Sequence, residues 1–196
     1  MRHLDVAGGT GDVAFRILES LNSVSRRAVQ DFLPDNLPEE TQIYVCDINT
    51  NMLNVGKKGA QERGLEDLRS LRWVEGDAEA LCFEDASMDG YTIAFGIRNV
   101  THIEKVLAEA YRVLKPGGRF LCLELSHVEA PGMITTHSRI AKGFSPDLAV
   151  TKLTHLPLTY MLMDMFASMI ADAGFQKVEY ENLVGGVVAI HSGLKF

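Results

Sequence analysis

Apolar residues fall into two rhythms along the chain. Short runs at residues 4–7, 42–46, 71–75, 91–95 and 119–125 are dense in Leu, Val, Ile, Tyr and Cys, and most end at Gly or Asp. Runs of that length and character predict buried strands. Between them the spacing turns helical. Val13, Ile17, Leu18 and Leu21 follow a glycine-rich turn. Residues 52–63 form a second helical stretch, with Asn49 or Asn51 as its cap and Gly64 as its stop. Residues 103–114 form a third, closed by Lys115-Pro116-Gly117-Gly118. Strand alternating with helix predicts a parallel sheet covered on both faces. Residues 160–173 then read as a helix, and 177–183 and 187–191 as strands joined across Val184-Gly185-Gly186, a hairpin signal. The expected fold is therefore α/β: a Rossmann-like, mostly parallel seven-stranded sheet ending in an antiparallel hairpin. The whole chain, residues 1–196, reads as a single domain. Residues 22–41, polar and carrying Pro34 and Pro38, read as a surface insertion, and residues 130–158 as an atypical segment with weak periodicity.

Charge narrows the function. Nineteen basic against twenty-six acidic side chains give a net charge of −7, which argues against a nucleic-acid partner, since phosphate binding needs a basic stripe. Cys46, Cys82 and Cys122 are odd in number and widely spaced, as expected of reduced thiols. No ligand pattern calls for a metal. No apolar run reaches the roughly 18 residues that span a bilayer, and no signal or transit peptide is visible. The chain enters its first strand within three residues, which reads as an N-terminally truncated domain.

Three features fall at the ends of three successive strands, where open α/β sheets bind ligands. Gly8-Gly9-Thr10-Gly11 lets the backbone approach a ligand, and the helix after it favours a carboxylate. Asp47, after the second strand, can accept from two ribose hydroxyls. Asp77, followed by Ala78 after the third, can accept from an adenine amino group. Together they point to S-adenosylmethionine. A dinucleotide remains the competitor: counted from Gly9, the third glycine of the G-x-G-x-x-G fingerprint falls at Ala14, which its relaxed form allows. The Asp77 position and the terminal hairpin favour S-adenosylmethionine and the class I methyltransferase layout.

The stretch Leu4-Asp5-Val6-Ala7-Gly8-Gly9-Thr10-Gly11-Asp12 resembles the ubiquinone/menaquinone biosynthesis C-methyltransferases. The resemblance continues through Asp47-Ile48-Asn49, Gly76-Asp77-Ala78-Glu79 and Tyr111-Arg112-Val113-Leu114-Lys115-Pro116-Gly117-Gly118. It is most specific at Gly96-Ile97-Arg98-Asn99-Val100-Thr101 and resumes at Val188-Ala189-Ile190-His191-Ser192-Gly193. It implies methyl transfer from S-adenosylmethionine to a ring carbon of a polyprenyl hydroquinone, with Thr10, Asp47, Asp77 and Ala78 touching the cofactor. It also implies a peripheral place on the matrix side of the mitochondrial inner membrane, within a multi-protein quinone-synthesis complex, and leaves room for a homodimer. A fold-retaining, non-catalytic subunit and a methyltransferase of another small molecule stay open as alternatives.

A ring carbon becomes nucleophilic when the neighbouring hydroxyl loses its proton, and a fixed cation stabilises the resulting phenolate. Arg98, after the fourth strand, is the catalytic candidate, with Asn99 in support. The competing expectation for Arg98 is a salt bridge to Asp12 or Glu124, and for Asn99 a helix cap. His102 reads as a solvated residue with a base as the alternative, and His191 as structural. Asp85 and Asp89 read as turn residues. Met161, Met163, Met165 and Met169 read as gap fillers, with a lipid channel as the alternative.

Overall fold

The computed structural model describes residues 1–31, 41–65, 70–126 and 163–196. Among them, five strands run parallel: β1 (Arg2–Val6), β2 (Gln42–Asp47), β3 (Leu71–Glu75), β4 (Met88–Ala94) and β5 (Leu114–Leu125). The hairpin strands β6 (Gln176–Leu183) and β7 (Val188–Leu194) pair antiparallel, and β7 adds antiparallel to β5. The order β3-β2-β1-β4-β5-β7-β6 makes one seven-stranded sheet, as the alternation predicts. The chain reverses direction of travel between β1 and β4, which creates the switch-point crevice at their carboxyl ends.

The strands alternate strictly in the faces they bury. Ile43 and Val45 of β2 join a cluster with Phe15 and Leu18 of α1 (Asp12–Asp31) and Leu53 and Ala60 of α2 (Thr50–Glu62). Cys46 of the same strand faces the opposite cluster, where Tyr91 and Phe120 meet Val106, Leu107 and Ala110 of α3 (Ile103–Val113) and Phe166 and Ile170 of α4 (Met163–Asp172). Period-2 strands between period-3.6 helices thus give two cores with the sheet between them. Each fully buried Leu or Ile in them contributes about 1.5–3 kcal/mol.

Helix α2 starts as its sequence signals. Asn49 is its cap, and Oδ1 accepts from the backbone of Asn51 at 3.0 Å and Met52 at 3.4 Å. It ends in a Schellman arrangement, with Gly64 at φ +68°, Gly64 N–H donating to Gln61 and Leu65 N–H to Ala60. Two boundaries differ from expectation by more than three residues. Helix α1 continues to Asp31, ten residues into the stretch read as an insertion. No Gly or Pro interrupts the sequence before Pro34, and Val24 and Ala28 extend the apolar spacing of Leu21. Residues 32–40 lie outside the described residues, as does the segment 130–158. Strand β5 starts at Leu114 rather than Arg119, because Met88 pairs with Leu114 and Gly90 with Arg119. Lys115-Pro116-Gly117-Gly118 therefore bulges out of a strand already begun, rather than only closing a helix.

Candidate functional site

The turn after β1 folds back onto β2. Gly8 N–H donates to the Cys46 carbonyl at 3.1 Å, and Gly9 N–H to Asp47 Oδ2 at 2.9 Å. Gly9 sits at φ +54°, and a Cβ there would meet only Met52 Cε at 3.5 Å and Asp47 Oδ2 at 4.0 Å, so the space above it is open. Gly11 is closed instead. At φ +82°, its Cβ would lie 2.6 Å from the Trp73 ring. The turn is thus tight beneath and open above, the shape a ligand cradle needs.

Thr10 Oγ1 donates to Asp12 Oδ2 at 2.9 Å, which steadies the first turn of α1. Asp47 uses one lone pair on each oxygen, for Gly9 and for Asn49 N–H at 2.8 Å. One acceptor site per oxygen is left, which fits a pair of vicinal hydroxyls. Asp77 Oδ1 accepts from Glu79 N–H at 2.9 Å and leaves Oδ2 for an outside donor; Ala78 packs beside it against the core. Ile48, next to Asp47, is 71% exposed. Nothing in the sequence singles it out, yet a large apolar side chain displayed beside an acid with a free acceptor site on each oxygen offers a flat ring a surface to lie on. These residues fit an adenosyl ligand with a carboxylate-bearing tail.

Beneath the turn lies a buried polar relay. Thr92 Oγ1 donates to Asp5 Oδ1 at 2.7 Å, and His3 Nε2 lies 3.1 Å from the same Oγ1. The hydroxyl hydrogen is spent on Asp5, so His3 Nε2 is the donor to it. Burial pushes the Asp5 carboxyl up to about 7 and the His3 imidazole down to about 4. Ala7 (φ +51°) and Phe95 (φ +56°) hold left-handed backbone at the carboxyl ends of β1 and β4, on either side of the switch point. Gly96 lies so close to Ala7 that a Cβ on it would come within 2.4 Å of the alanine methyl.

Arg98 follows in a 3-10 turn, Ile97–Asn99. Its Nη1 pairs with Glu124 Oε1, and its guanidinium lies 5.6 Å from the centroid of the Phe95 ring. The Glu124 partner is the one realised; Asp12 faces Arg63 instead, at 3.8 Å. This is no surface bridge, since Glu124 is only 7% exposed. Arg98 Nη2 and Nε make no hydrogen bond among the described residues, so donors of the guanidinium fork remain unspent. Asn99 Nδ2 donates to the Phe95 carbonyl at 3.4 Å, closing the turn rather than capping α3, whose N-cap is His102.

His102 is paired rather than merely solvated. Its Nδ1 lies 2.8 Å from Glu79 Oε2, while Glu79 Oε1 accepts from Thr101 and His102 N–H. Those bonds, led by the His102 N–H, hold the Glu79 carboxyl below its ordinary value. Asp85 and Asp89 act as loop anchors, for Arg112 at 2.6 Å and for Lys115 at 2.6 Å. Met169 packs against the core, Met165 is half exposed, and Met161 lies outside the described residues. Among the described residues no cluster of His, Cys, Asp and Glu could hold a metal, and no helix is long and apolar enough to cross a membrane.

A second set of polar residues escaped the sequence reading as a group. Glu124 shares a face of β5 with Phe120 and Cys122, buried Ser126 follows just past the strand, and Cys122 pairs with His191 of β7. Their signal was present: a charged residue and a histidine in phase with core positions of apolar strands.

A model of the ubiE/COQ5 methyltransferase family matches residues 1–195. The mitochondrial 2-methoxy-6-polyprenyl-1,4-benzoquinol methylase of Arabidopsis thaliana is 65% identical over 204 residues, covering 100% of this chain and 70% of the relative. The ubiquinone/menaquinone biosynthesis C-methyltransferase of Brucella anthropi is 46% identical over 201 residues, covering 98% of this chain and 70% of the relative. A solved SAM-dependent methyltransferase from Thermotoga maritima superposes with a TM-score of 0.64 at 16% identity, covering 100% of this chain and 82% of that one, a likeness of fold. The chain therefore belongs to the ubiE/COQ5 methyltransferase family, with S-adenosylmethionine as its cofactor.

Proposed function

We propose that this chain methylates a ring carbon of a 2-methoxy-6-polyprenyl-1,4-benzoquinol in ubiquinone biosynthesis, with S-adenosylmethionine supplying the methyl group. The observation that carries the reading is Arg98. It follows the carboxyl end of β4 as a cation anchored on the buried Glu124 carboxylate, with Nε and Nη2 making no hydrogen bond among the described residues. There it faces the oxygen that becomes a phenolate and stabilises the charge as it develops. The glycine turn would hold the donor's carboxylate end, Asp47 its ribose and Asp77 with Ala78 its base. Asn99 fixes the turn that aims Arg98. Holding donor and acceptor in line removes much of the entropic part of the barrier.

The chain is mitochondrial, like its Arabidopsis relative. We place it on the matrix face of the inner membrane, peripherally, since its polyprenyl substrate is confined to the bilayer, and in contact with other quinone-synthesis enzymes. The test has two steps. Titration calorimetry with S-adenosylhomocysteine should give micromolar affinity. Anaerobic incubation with S-adenosylmethionine and a short-tailed 2-methoxy-1,4-benzoquinol should then add one methyl group to the ring by mass spectrometry. Binding without methylation would overturn the reading in favour of a non-catalytic subunit.

A further inference from the structure

A small cavity of about 10 Å³ opens between the carboxyl end of β5 and the first turn of α4, lined by Glu124, Ser126, Met163, Phe166 and His191. That volume holds about one water. Three of the lining residues each carry a buried side-chain atom without a hydrogen-bond partner among the described residues: Glu124 Oε2, Ser126 Oγ and His191 Nδ1. The residues that carry them are 7%, 2% and 3% exposed. Buried polar atoms are seldom left unpaired, so three among the lining residues mark a place that calls for a polar occupant.

The chemistry of the wall says what. His191 Nε2 lies 3.2 Å from the Met163 carbonyl, which can only accept, so Nε2 carries the hydrogen and Nδ1 is a bare lone pair. Burial holds the imidazole below its ordinary pKa, against the pull of that carbonyl. Glu124 links the cavity to the crevice, since its other oxygen holds Arg98.

Resting on the quinol reading above, we propose that His191 accepts the proton of the substrate hydroxyl, through one water held by Ser126 and Glu124. The hydroxyl O–H bond breaks and its proton passes to the water, which gives one of its own to Nδ1. The imidazolium lies beside the Glu124 carboxylate, and the phenolate lies beside Arg98. The oxygen pair then pushes density to the ortho carbon, which bonds to the methyl as the methyl–sulfur bond breaks. The ring carbon afterwards loses its hydrogen as a proton to solvent, and His191 returns its proton to the oxygen by the same water. Among the described residues, the titratable groups around His191 are Glu124 and Cys122 from β5, and Tyr180 from β6, whose ring lies 5.3 Å away and whose hydroxyl bonds Asp164 of α4.

His191→Gln keeps an N–H for the Met163 carbonyl and removes the titratable nitrogen. It should lower kcat about 100-fold or more, the range of lost general-base catalysis, with S-adenosylhomocysteine affinity within about 3-fold of the parent's. The deficit should shrink for ring-fluorinated quinols, whose hydroxyls ionise more easily, and the acid limb of the parent's kcat profile should vanish. A kcat within about 3-fold of the parent's, or a deficit equal for all quinols, overturns the proposal. If His191→Gln does not fold, Ser126→Ala takes its place: a kcat loss of about 10-fold supports the relay, and an unchanged kcat overturns it. A parent chain that binds S-adenosylhomocysteine but methylates no quinol defeats the proposed function instead. In that case nitrogen NMR of His191 decides the present inference. Adding the short-tailed quinol to the S-adenosylhomocysteine complex must move the Nδ1 resonance, and no movement overturns it.

Discussion

At the scale of single residues, the site depends on polar groups whose environments oppose one another. Asp5 and His3 share Thr92, and burial drives both toward neutrality. Asp5, raised to about 7, stabilises the fold at acid pH and loses that contribution as pH rises from about 4 to 7. His3, lowered to about 4, does the reverse: its contribution is full above 6.5 and is lost as pH falls through 4. The two slopes offset each other in the parent. Asp5→Asn should therefore make stability climb between pH 4.5 and 6.5 relative to the parent, and His3→Gln should make it fall; urea midpoints at the two pH values check both signs. Asp47→Ala should weaken S-adenosylhomocysteine binding by about 1–3 kcal/mol, the worth of hydrogen bonds to a charged acceptor, and calorimetry reads it directly. Arg98→Ala should abolish methylation with cofactor affinity within a few-fold, and it should also lower the melting temperature, because Glu124 stays buried without its counter-ion. Arg98→Met combined with Glu124→Gln should recover the melting temperature and not the turnover, which separates the two roles of the arginine.

At the scale of elements, the glycine turn after β1 is shaped by what packs under it. Gly56 brings α2 against that turn: a Cβ there would lie 2.4 Å from Trp73 and 2.7 Å from the Thr10 carbonyl. Gly56→Ala should push the helix and the turn apart, at about 1–3 kcal/mol for overpacking, and weaken S-adenosylhomocysteine binding along with stability. Gly59→Ala, one turn on, meets nothing within 4 Å and should stabilise by about 1 kcal/mol with binding unchanged. Calorimetry and denaturation of the pair distinguish crowding from helix propensity. Arg112 does comparable work for α3, where its guanidinium holds Glu109, Asp85 and the carbonyls of Leu81 and Phe83, pinning the loop before β4 to the helix.

At the scale of the molecule, both cores press on one sheet, and the crevice forms along the carboxyl edge of that sheet. Damage to a core far from the crevice should therefore be offset by a ligand in it. Leu107 is wholly buried between α3 and the sheet, so Leu107→Ala should cost about 2–5 kcal/mol. S-adenosylhomocysteine at about 100 times its Kd should return about 2.7 kcal/mol. Chemical denaturation with and without the ligand measures both, and a ligand without effect on the variant would mean that crevice and core do not unfold together.

Much of this was legible in the chain because it is local. Strand runs of period 2, helical runs of period 3.6, the Gly8-Gly9-Thr10-Gly11 turn and the acids ending β2 and β3 are each set by neighbours a few residues away, and they carried the fold and the candidate cofactor residues. The end of α1 is not legible in the sequence because residues such as Asn22, Ser23 and Ser25 resemble a loop in composition. The left-handed backbone at Ala7 and Phe95 left no mark, since neither residue type asks for it. What only the tertiary structure decided is which buried charges meet. Arg98 finds Glu124 across 26 positions, and His191 comes beside Cys122, next to Glu124 and Ser126, by the antiparallel register of β5 and β7. That register is fixed by the joint packing of sheet and helices, so no local pattern along the chain could announce it.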